Sequence, residues 1–448
     1  MRDAIDVYHD LLTDPVASET YAQLEAQQRA RGLHFGERPL CTVLRPRFLD
    51  PRQYAWLQSR ASLLLHAFER AHRAALADPA LRAQFGLLDW EERLVMIDPG
   101  FRSPSPTSRL DAFFTEDGAG VKITEYNAET PAGGGYNDAL TDVFLGLPVM
   151  GRFLKRYQVR PLPVAHSVMH CLLDAYQQWG RSAEPPQIAI LDWREVPTYS
   201  EFVLFGDYFG RHGIPCAIVD PRELEYTDGR LHAGDFTITL IYKRVLLSEL
   251  VEREGEASVV IRAVRDGAAC MVNPFACKIL HKKTSLAVLS DERNAALFPE
   301  SERRTIAELI PWTRRVEERT TVAGGDRVDL LPYIEAHRER LVLKPSDEYG
   351  GKGIVLGWET TAEDWGAAMR TALREPYIVQ ERIPLPSEPF PSFDGRGAVC
   401  TDRMVDTAPY CFYGDYMDGC LTRLATTSLL NVTAGGGSNV PTMLVEPR

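Results

Sequence analysis

The sequence predicts an α/β (α+β) chain with a helical N-terminal region, a central alternating α/β unit and a C-terminal unit built around a glycine-rich loop. Three observations carry this. Apolar residues recur at helical spacing through residues 1–90. Short β-prone runs separated by a helix-length segment fill about 186–245. Strand-like runs flank a Gly-rich loop and a helix-like stretch within 270–448. At 448 residues the chain holds about three domain-sized units, placed at 1–160, 161–265 and 266–448.

The elements follow in order. The runs from Tyr21 and from Tyr54 space their apolar residues with helix formers between them. From Leu94 to Gly135 the character changes: Leu94–Ile97 and Val121–Thr124 read as strands between Pro- and Gly-rich loops. In the central unit Ile188–Leu191, Cys216–Val219 and Leu240–Tyr242 read as strands and Phe202–Phe209 as a helix, which predicts a mostly parallel sheet. No Gly-x-Gly-x-x-Gly follows the first strand, so this unit reads as scaffold rather than as a dinucleotide site. Further on, Arg340–Lys344 and Tyr377–Gln380 read as strands, Ala362–Leu373 as a helix, and 318–327 as an exposed turn.

Composition narrows the function classes. Hydrophobic residues make up 45% and charged residues 25%, the balance of an ordinary globular chain. Fifty Lys and Arg against 62 Asp and Glu give a net charge of −12, which argues against nucleic acid and polybasic membrane surfaces as partners. Eight scattered Cys without a C-x-x-C pair suit a reducing compartment. The charged start after Met1 shows no signal-peptide pattern, and the longest uncharged run, 424–445, is broken by Asn, Pro and Gly. The expected location is cytoplasmic.

Two segments carry the chemistry. In Lys344-Pro-Ser-Asp-Glu-Tyr-Gly-Gly-Lys352-Gly353 a strand ends in Lys and enters a loop with Gly350, Gly351 and Gly353. Such a loop lets backbone N–H groups approach phosphate oxygens, while lysines add charge; its alternative is a solvated hairpin. It is no Walker A loop, because Gly353 stands where Ser or Thr is required. The second segment is Arg109-Leu-Asp111 followed by Glu125-Tyr-Asn127-Ala-Glu-Thr-Pro and three glycines. Asp111, Glu125 and Asn127 offer hard oxygens suited to Mg²⁺, and on a strand Glu125 and Asn127 share one face; alternatively they cap a turn and support the bend. A third stretch, Asn273 to Lys283, offers Lys278, Lys282 and Lys283 to a phosphate or to solvent. Its Cys270, Cys277 and His281 lack the fourth ligand of a zinc site, and no Gly-x-Ser-x-Gly elbow is present.

Taken in order across 109–386, these segments resemble the circularly permuted ATP-grasp proteins, the group related to the synthetase domain of glutathionylspermidine synthase. Arg109-x-Asp111 with Glu125–Pro131 resembles its metal and phosphate motif, Asn273–Lys283 its first ATP-lysine segment, and Lys344 with Gly350-Gly351 and Tyr377–Pro386 its second lysine, glycine loop and adenine hinge. The acidic motif precedes the lysines, the reverse of an ordinary ATP-grasp chain, and that order is what implies permutation. The resemblance implies a permuted ATP-grasp fold with an inserted Rossmann-like pre-ATP-grasp unit. It implies that Lys283 and Lys344 contact ATP phosphates, and that the loop of Gly350, Gly351, Lys352 and Gly353 covers them. Gln380, Glu381, Arg382 and Ile383 would hold adenine, Asp111, Glu125 and Asn127 two Mg²⁺, and Arg109 the γ-phosphate. Ser428–Gly437 also resembles a family segment, without a definite role.

The activity implied is ligation of a small-molecule or peptide carboxylate to an amine through an acyl phosphate, with release of ADP. A phosphotransferase would use the same residues, and an idle nucleotide-binding scaffold would keep the fold without turnover. The bifunctional synthetases carry a thiol amidase domain for which this sequence shows no segment, so the substrate pair, and any carrier or pathway partner, stay open.

Overall fold

The computed structural model describes residues 1–448 except 37, 116–119, 182, 349 and 427–436. Three helices, Arg2–Asp10, Asp14–Ala30 and Pro51–Ala77, dominate the start of the chain. The third opens with Pro51, and the Asp50 side chain accepts from Arg52 N–H at 2.7 Å, capping donors that the helix leaves unpaired. Its buried face repeats at three- and four-residue steps through Tyr54, Leu57, Ala61, Leu64, Phe68, Ala71 and Ala75. Phe68 stacks on Tyr126 at 4.3 Å, so this helix backs the strand that carries Glu125.

Leu94–Ile97 is not a strand. Leu94 ends the helix Asp89–Leu94, and Val95 to Ile97 turn away from it. Glu91 decides the outcome: its carboxylate accepts from Leu88 N–H at 2.7 Å and fixes the first turn, while Leu94 and Val95 are each buried, in two different core clusters. Local β propensity yields to a cap and to burial.

The three predicted strands of the central unit pair in parallel and are joined by Cys270–Val272, which the sequence did not mark as a strand, in the order Cys270–Val272, Leu240–Lys243, Ile188–Leu191, Cys216–Val219. Helix Tyr199–Arg211 connects two of them, and the fourth strand comes from beyond residue 265. A second sheet joins Thr313–Arg315, Tyr377–Glu381, Leu341–Pro345 and Val355–Leu356 in antiparallel pairs. Helix Ala362–Ala372, capped by Thr361 on Asp364 N–H at 3.1 Å, packs on it through Trp365. Residues 318–327 contain most of a hairpin, Thr320–Ala323 with Asp326–Asp329, turning at Gly324-Gly325.

The largest sheet has nine strands among the described residues and draws on both ends of the chain. Ser387–Phe393, Ala398–Val405, Tyr416–Ala425, Ala408–Phe412, Thr107–Phe114 and Val121–Asn127 follow one another across it. Ser438–Pro447 adds on through Tyr416–Ala425 and carries Arg47–Leu49 and Tyr157–Pro161. The acidic strands therefore lie beside strands made some 300 residues later. Among the described residues no helix is long and apolar enough to cross a membrane.

Candidate functional site

The site begins with a register. Thr107–Phe114 and Val121–Asn127 run antiparallel with Asp111 opposite Glu125 and Arg109 opposite Asn127, so side chains two apart on each strand converge. Asp111 lies between two guanidinium groups: Arg109 Nε donates to it at 2.9 Å and Arg423 Nη2 approaches at 2.8 Å. Burial works to raise its pKa, but the two arginines outweigh burial and hold the carboxyl well below the usual range. Arg423, on strand Tyr416–Ala425, also donates through Nε to the buried Asp406 at 2.5 Å.

Glu125 meets Lys283 Nζ at 2.8 Å. Burial acts against its charge, yet the lysine lowers its pKa. Lys283 also donates to the Glu348 carbonyl at 2.7 Å, tying the acidic strand to the glycine-rich loop. Lys344 Nζ donates to Gln380 Oε1 at 2.7 Å, and burial pushes its pKa down to about 8 against the pull of Glu125.

These groups surround a cavity of about 400 Å³. Of the predicted residues, Asp111, Glu125, Lys344, Gly350, Gly351, Gln380, Glu381, Arg382 and Ile383 line it. Apolar lining comes from Val342, Ile354, Leu356, Trp358 and Met404, and Arg423 adds a cation. The Arg382 guanidinium sits 4.2 Å from the Trp358 ring centre.

Other predicted residues stand outside that lining. Arg109 lies behind Asp111, its Nη1 donating to the Ala132 carbonyl at 2.7 Å, and Lys283 reaches the site through Glu125. Asn127 has a buried amide nitrogen without a hydrogen-bond partner among the described residues. Lys352 points to solvent at 77% exposure, paired with Glu348 at 3.3 Å. Gly353 turns the loop at φ +72°, where an added Cβ would come within 2.8 Å of Pro345. Most of Ser428–Gly437 lies outside the described residues.

The three lysines of the Asn273–Lys283 stretch divide by role. Lys278 is fully buried between Asp347 at 2.8 Å and Glu129 at 3.2 Å, and Lys282 pairs with Glu91 at 2.8 Å. Glu129 also receives Lys243 at 3.1 Å and Leu247 N–H at 2.5 Å. Burial opposes its charge, but Lys243 and Lys278 hold its pKa well below the usual range. This network binds the glycine loop, through Asp347, to the central unit and to the helix carrying Glu91. Of the three lysines only Lys283 reaches Glu125.

Arg423, Asp406, Glu129 and Asp347 escaped the sequence reading. Glu129 and Asp347 lie within the acidic and glycine-rich motifs, but their lysine partners are distant in sequence and only folding brings them together. Arg423 has no local signal; only the pairing of its strand through Ala408–Phe412 brings it to Asp111.

The glycines after Pro131 have a structural use. Gly133 takes φ +100° and donates N–H to Glu201 at 2.7 Å, and a Cβ there would lie 2.8 Å from the Tyr410 hydroxyl. That close approach lets the Ala132 carbonyl accept from both Arg109 and Tyr410, the latter at 3.0 Å.

Asp111, Glu125 and Asn127 form an oxygen-rich set that fits a hard divalent cation. Asn127 supports the fit, since its unpartnered amide can present oxygen in place of nitrogen. The two carboxylates are balanced here by Arg109, Arg423 and Lys283, so a cation would compete with Lys283 for Glu125.

No family model and no curated protein sequence matches the chain. Among solved structures it is similar to a glutathione synthetase-like effector, GSS30, from Globodera pallida in its apo form. The TM-score is 0.60 at 12% identity, over 97% of this chain and 99% of that one. The likeness is one of fold, a mixed α/β architecture of the glutathione synthetase-like kind.

Proposed function

We propose that this chain is an ATP-dependent carboxylate–amine ligase on a circularly permuted ATP-grasp fold. The observation that carries the reading is one cavity in which Asp111, Glu125, Lys344, Gly350-Gly351 and the 380–383 segment converge from separate parts of the chain. A pocket of this size suits a nucleotide, with apolar walls for a base and cations for phosphates. The wall of Val342, Leu356, Trp358 and Met404 would take adenine beside Gln380–Ile383. Lys344, Lys283 and Arg423 would neutralise the phosphates, with Gly350 and Gly351 admitting them close to the backbone.

Asp111, Glu125 and Asn127 would hold Mg²⁺, which draws charge from the phosphate oxygens when bound. The substrate carboxylate would attack the γ-phosphorus, breaking its bond to the β–γ bridging oxygen and giving an acyl phosphate and ADP. An amine would then displace phosphate, forming the amide and losing a proton. No protein nucleophile is needed: positioning and charge neutralisation do the chemistry. Arg109 would act through Asp111, fixing its orientation. The glutathione synthetase-like neighbour favours a peptide-like substrate pair, whereas glutathionylspermidine in particular rests on the motif resemblance alone.

The test is ADP release with Mg·ATP across a panel of carboxylates and amines, with products identified by mass spectrometry. Release that requires both partners, with a product equal to their sum less water, supports the ligase. A phosphorylated product from one substrate alone replaces it with a phosphotransferase.

A further inference from the structure

A second cavity, of about 850 Å³, lies behind the first. Phe113 and the segment Glu381–Pro384 line both, so one stretch of chain is their common wall. The far side is helix Glu300–Leu309 with the turn that follows it, and Phe298, Ile306, Ile310 and Trp312 supply apolar surface. That volume is ample for a small organic molecule.

The charges around this cavity are unbalanced. Its acidic groups are engaged: Asp291 by Arg319 at 2.6 Å and Arg293 at 3.0 Å, Glu292 by Arg314 at 2.8 Å, Glu381 by Arg340 at 3.2 Å. Its other cations, Lys122, Arg303 and Arg382, are not, and Arg382 is taken up by the Trp358 ring. Lys122 donates to the Glu308 carbonyl at 2.7 Å and Arg303 to the Phe298 carbonyl at 2.9 Å, and neither has a carboxylate partner among the described residues. Each keeps donors to offer, because an ammonium has three and a guanidinium five.

We propose that this cavity is a binding site for a small amphipathic anion. Its aromatic or aliphatic body lies against Phe298, Ile306, Ile310 and Trp312, and its carboxylate or sulfonate is held by Lys122 and Arg303. Burial of the body supplies the affinity, and the two cations select the charge. The site does not require the neighbouring cavity to hold ATP.

The probe is 8-anilinonaphthalene-1-sulfonate, a fused aromatic carrying one sulfonate, titrated into the full chain and followed by fluorescence. Saturable binding of one dye per chain is expected, and saturating Mg²⁺ with the non-hydrolysable β,γ-imido analogue of ATP should leave the dye bound. Ala307 is an exposed cavity residue on the helix, so Ala307→Trp places an indole in the ligand's space without touching the core. That variant should weaken the dye at least about tenfold, a loss of about 1.4 kcal/mol. Lys122→Gln and Arg303→Gln should each weaken it about three- to tenfold, as loss of one charge-assisted contact does. Should Ala307→Trp fail to fold, by its unfolding temperature, the two charge variants decide. No saturable binding, dye displaced by the nucleotide analogue, or affinity untouched by these substitutions overturns the site.

Discussion

Glu125 and Lys283 meet at 2.8 Å, the carboxylate on an antiparallel strand and the ammonium at the start of helix Thr284–Ser290. Lys283 N–H also donates to the Ser346 carbonyl at 2.8 Å, and its Nζ to the Glu348 carbonyl. One lysine therefore joins the acidic strand to the mouth of the glycine loop. Without Glu125, Lys283 and Lys344 would face each other with less negative charge between them.

Glu125→Gln keeps the shape and removes that charge. ADP release should fall at least about 10²-fold, the size of losing one electrostatic contact in a reacting site, while circular dichroism stays native. Unchanged turnover would remove Glu125 from the chemistry.

Lys278 and Lys283 should separate stability from activity. Lys278→Met leaves Glu129 and Asp347 short of a buried partner and should cost about 3–5 kcal/mol in urea unfolding. Lys283→Met should change stability far less but abolish ATP binding measured by calorimetry. Equal effects of the two on unfolding would contradict the division of roles.

Arg423→Lys retains a charge but not the fork that reaches Asp111 and Asp406 together. If Arg423 serves the phosphoryl transfer, kcat should fall with little change in the KM for ATP. A rise in KM at constant kcat would place it in ground-state binding instead.

How legible this was in the sequence depended on range. Glu125 and Asn127 can be put on one strand face because alternation is local, and the helix expected over 362–373 forms over Ala362–Ala372, where Thr361 caps it. Lys278 could not be told from Lys283, since both sit in one basic run and only folding shows one against Glu129 and the other against Glu125. Arg423 was invisible for a related reason: its partner Asp111 is fixed by strand pairing across the molecule. Leu94–Ile97 differs from the expected strand because apolar residues suit a helix end and the turn after it as well as a strand, with Met96 left exposed, and Glu91 fixes the helix three residues earlier.

Asp192 follows strand Ile188–Leu191, and burial raises its pKa to about 6. A folded value above the unfolded one gives stability that is complete below about pH 4 and lost as pH rises through 6. Asp192→Asn keeps an acceptor for Trp193 N–H and cannot ionise. It should raise the unfolding free energy at pH 7.5 by on the order of 2 kcal/mol in urea unfolding, with a gain that shrinks toward pH 4.5. A constant gain would mean that the carboxyl is not the cause.

His72 has the opposite sign. Burial lowers its pKa to about 4, and its Nε2 lies 3.2 Å from the Ala276 carbonyl. Stability from the neutral ring is complete above about pH 6.5 and lost as pH falls through 4. His72→Gln can keep a donor there without charging, so its deficit against the parent protein should narrow between pH 7 and pH 4.5. A deficit that widens would exclude His72 as an acid-sensitive group.

The nine-stranded sheet sets an order of events during synthesis. Asp111 and Glu125 leave the ribosome with Arg109, but the strand on the other side of Thr107–Phe114 and the arginine that completes the charge balance follow some 300 residues later. Until Ala408–Phe412 and Tyr416–Ala425 dock, a strand edge stays open to wrong partners. Closing contacts between residues so distant in sequence is slow. A nascent chain of this protein therefore carries a half-neutralised acidic edge while some 300 further residues are added, the kind of surface a chaperone would shield until those strands arrive.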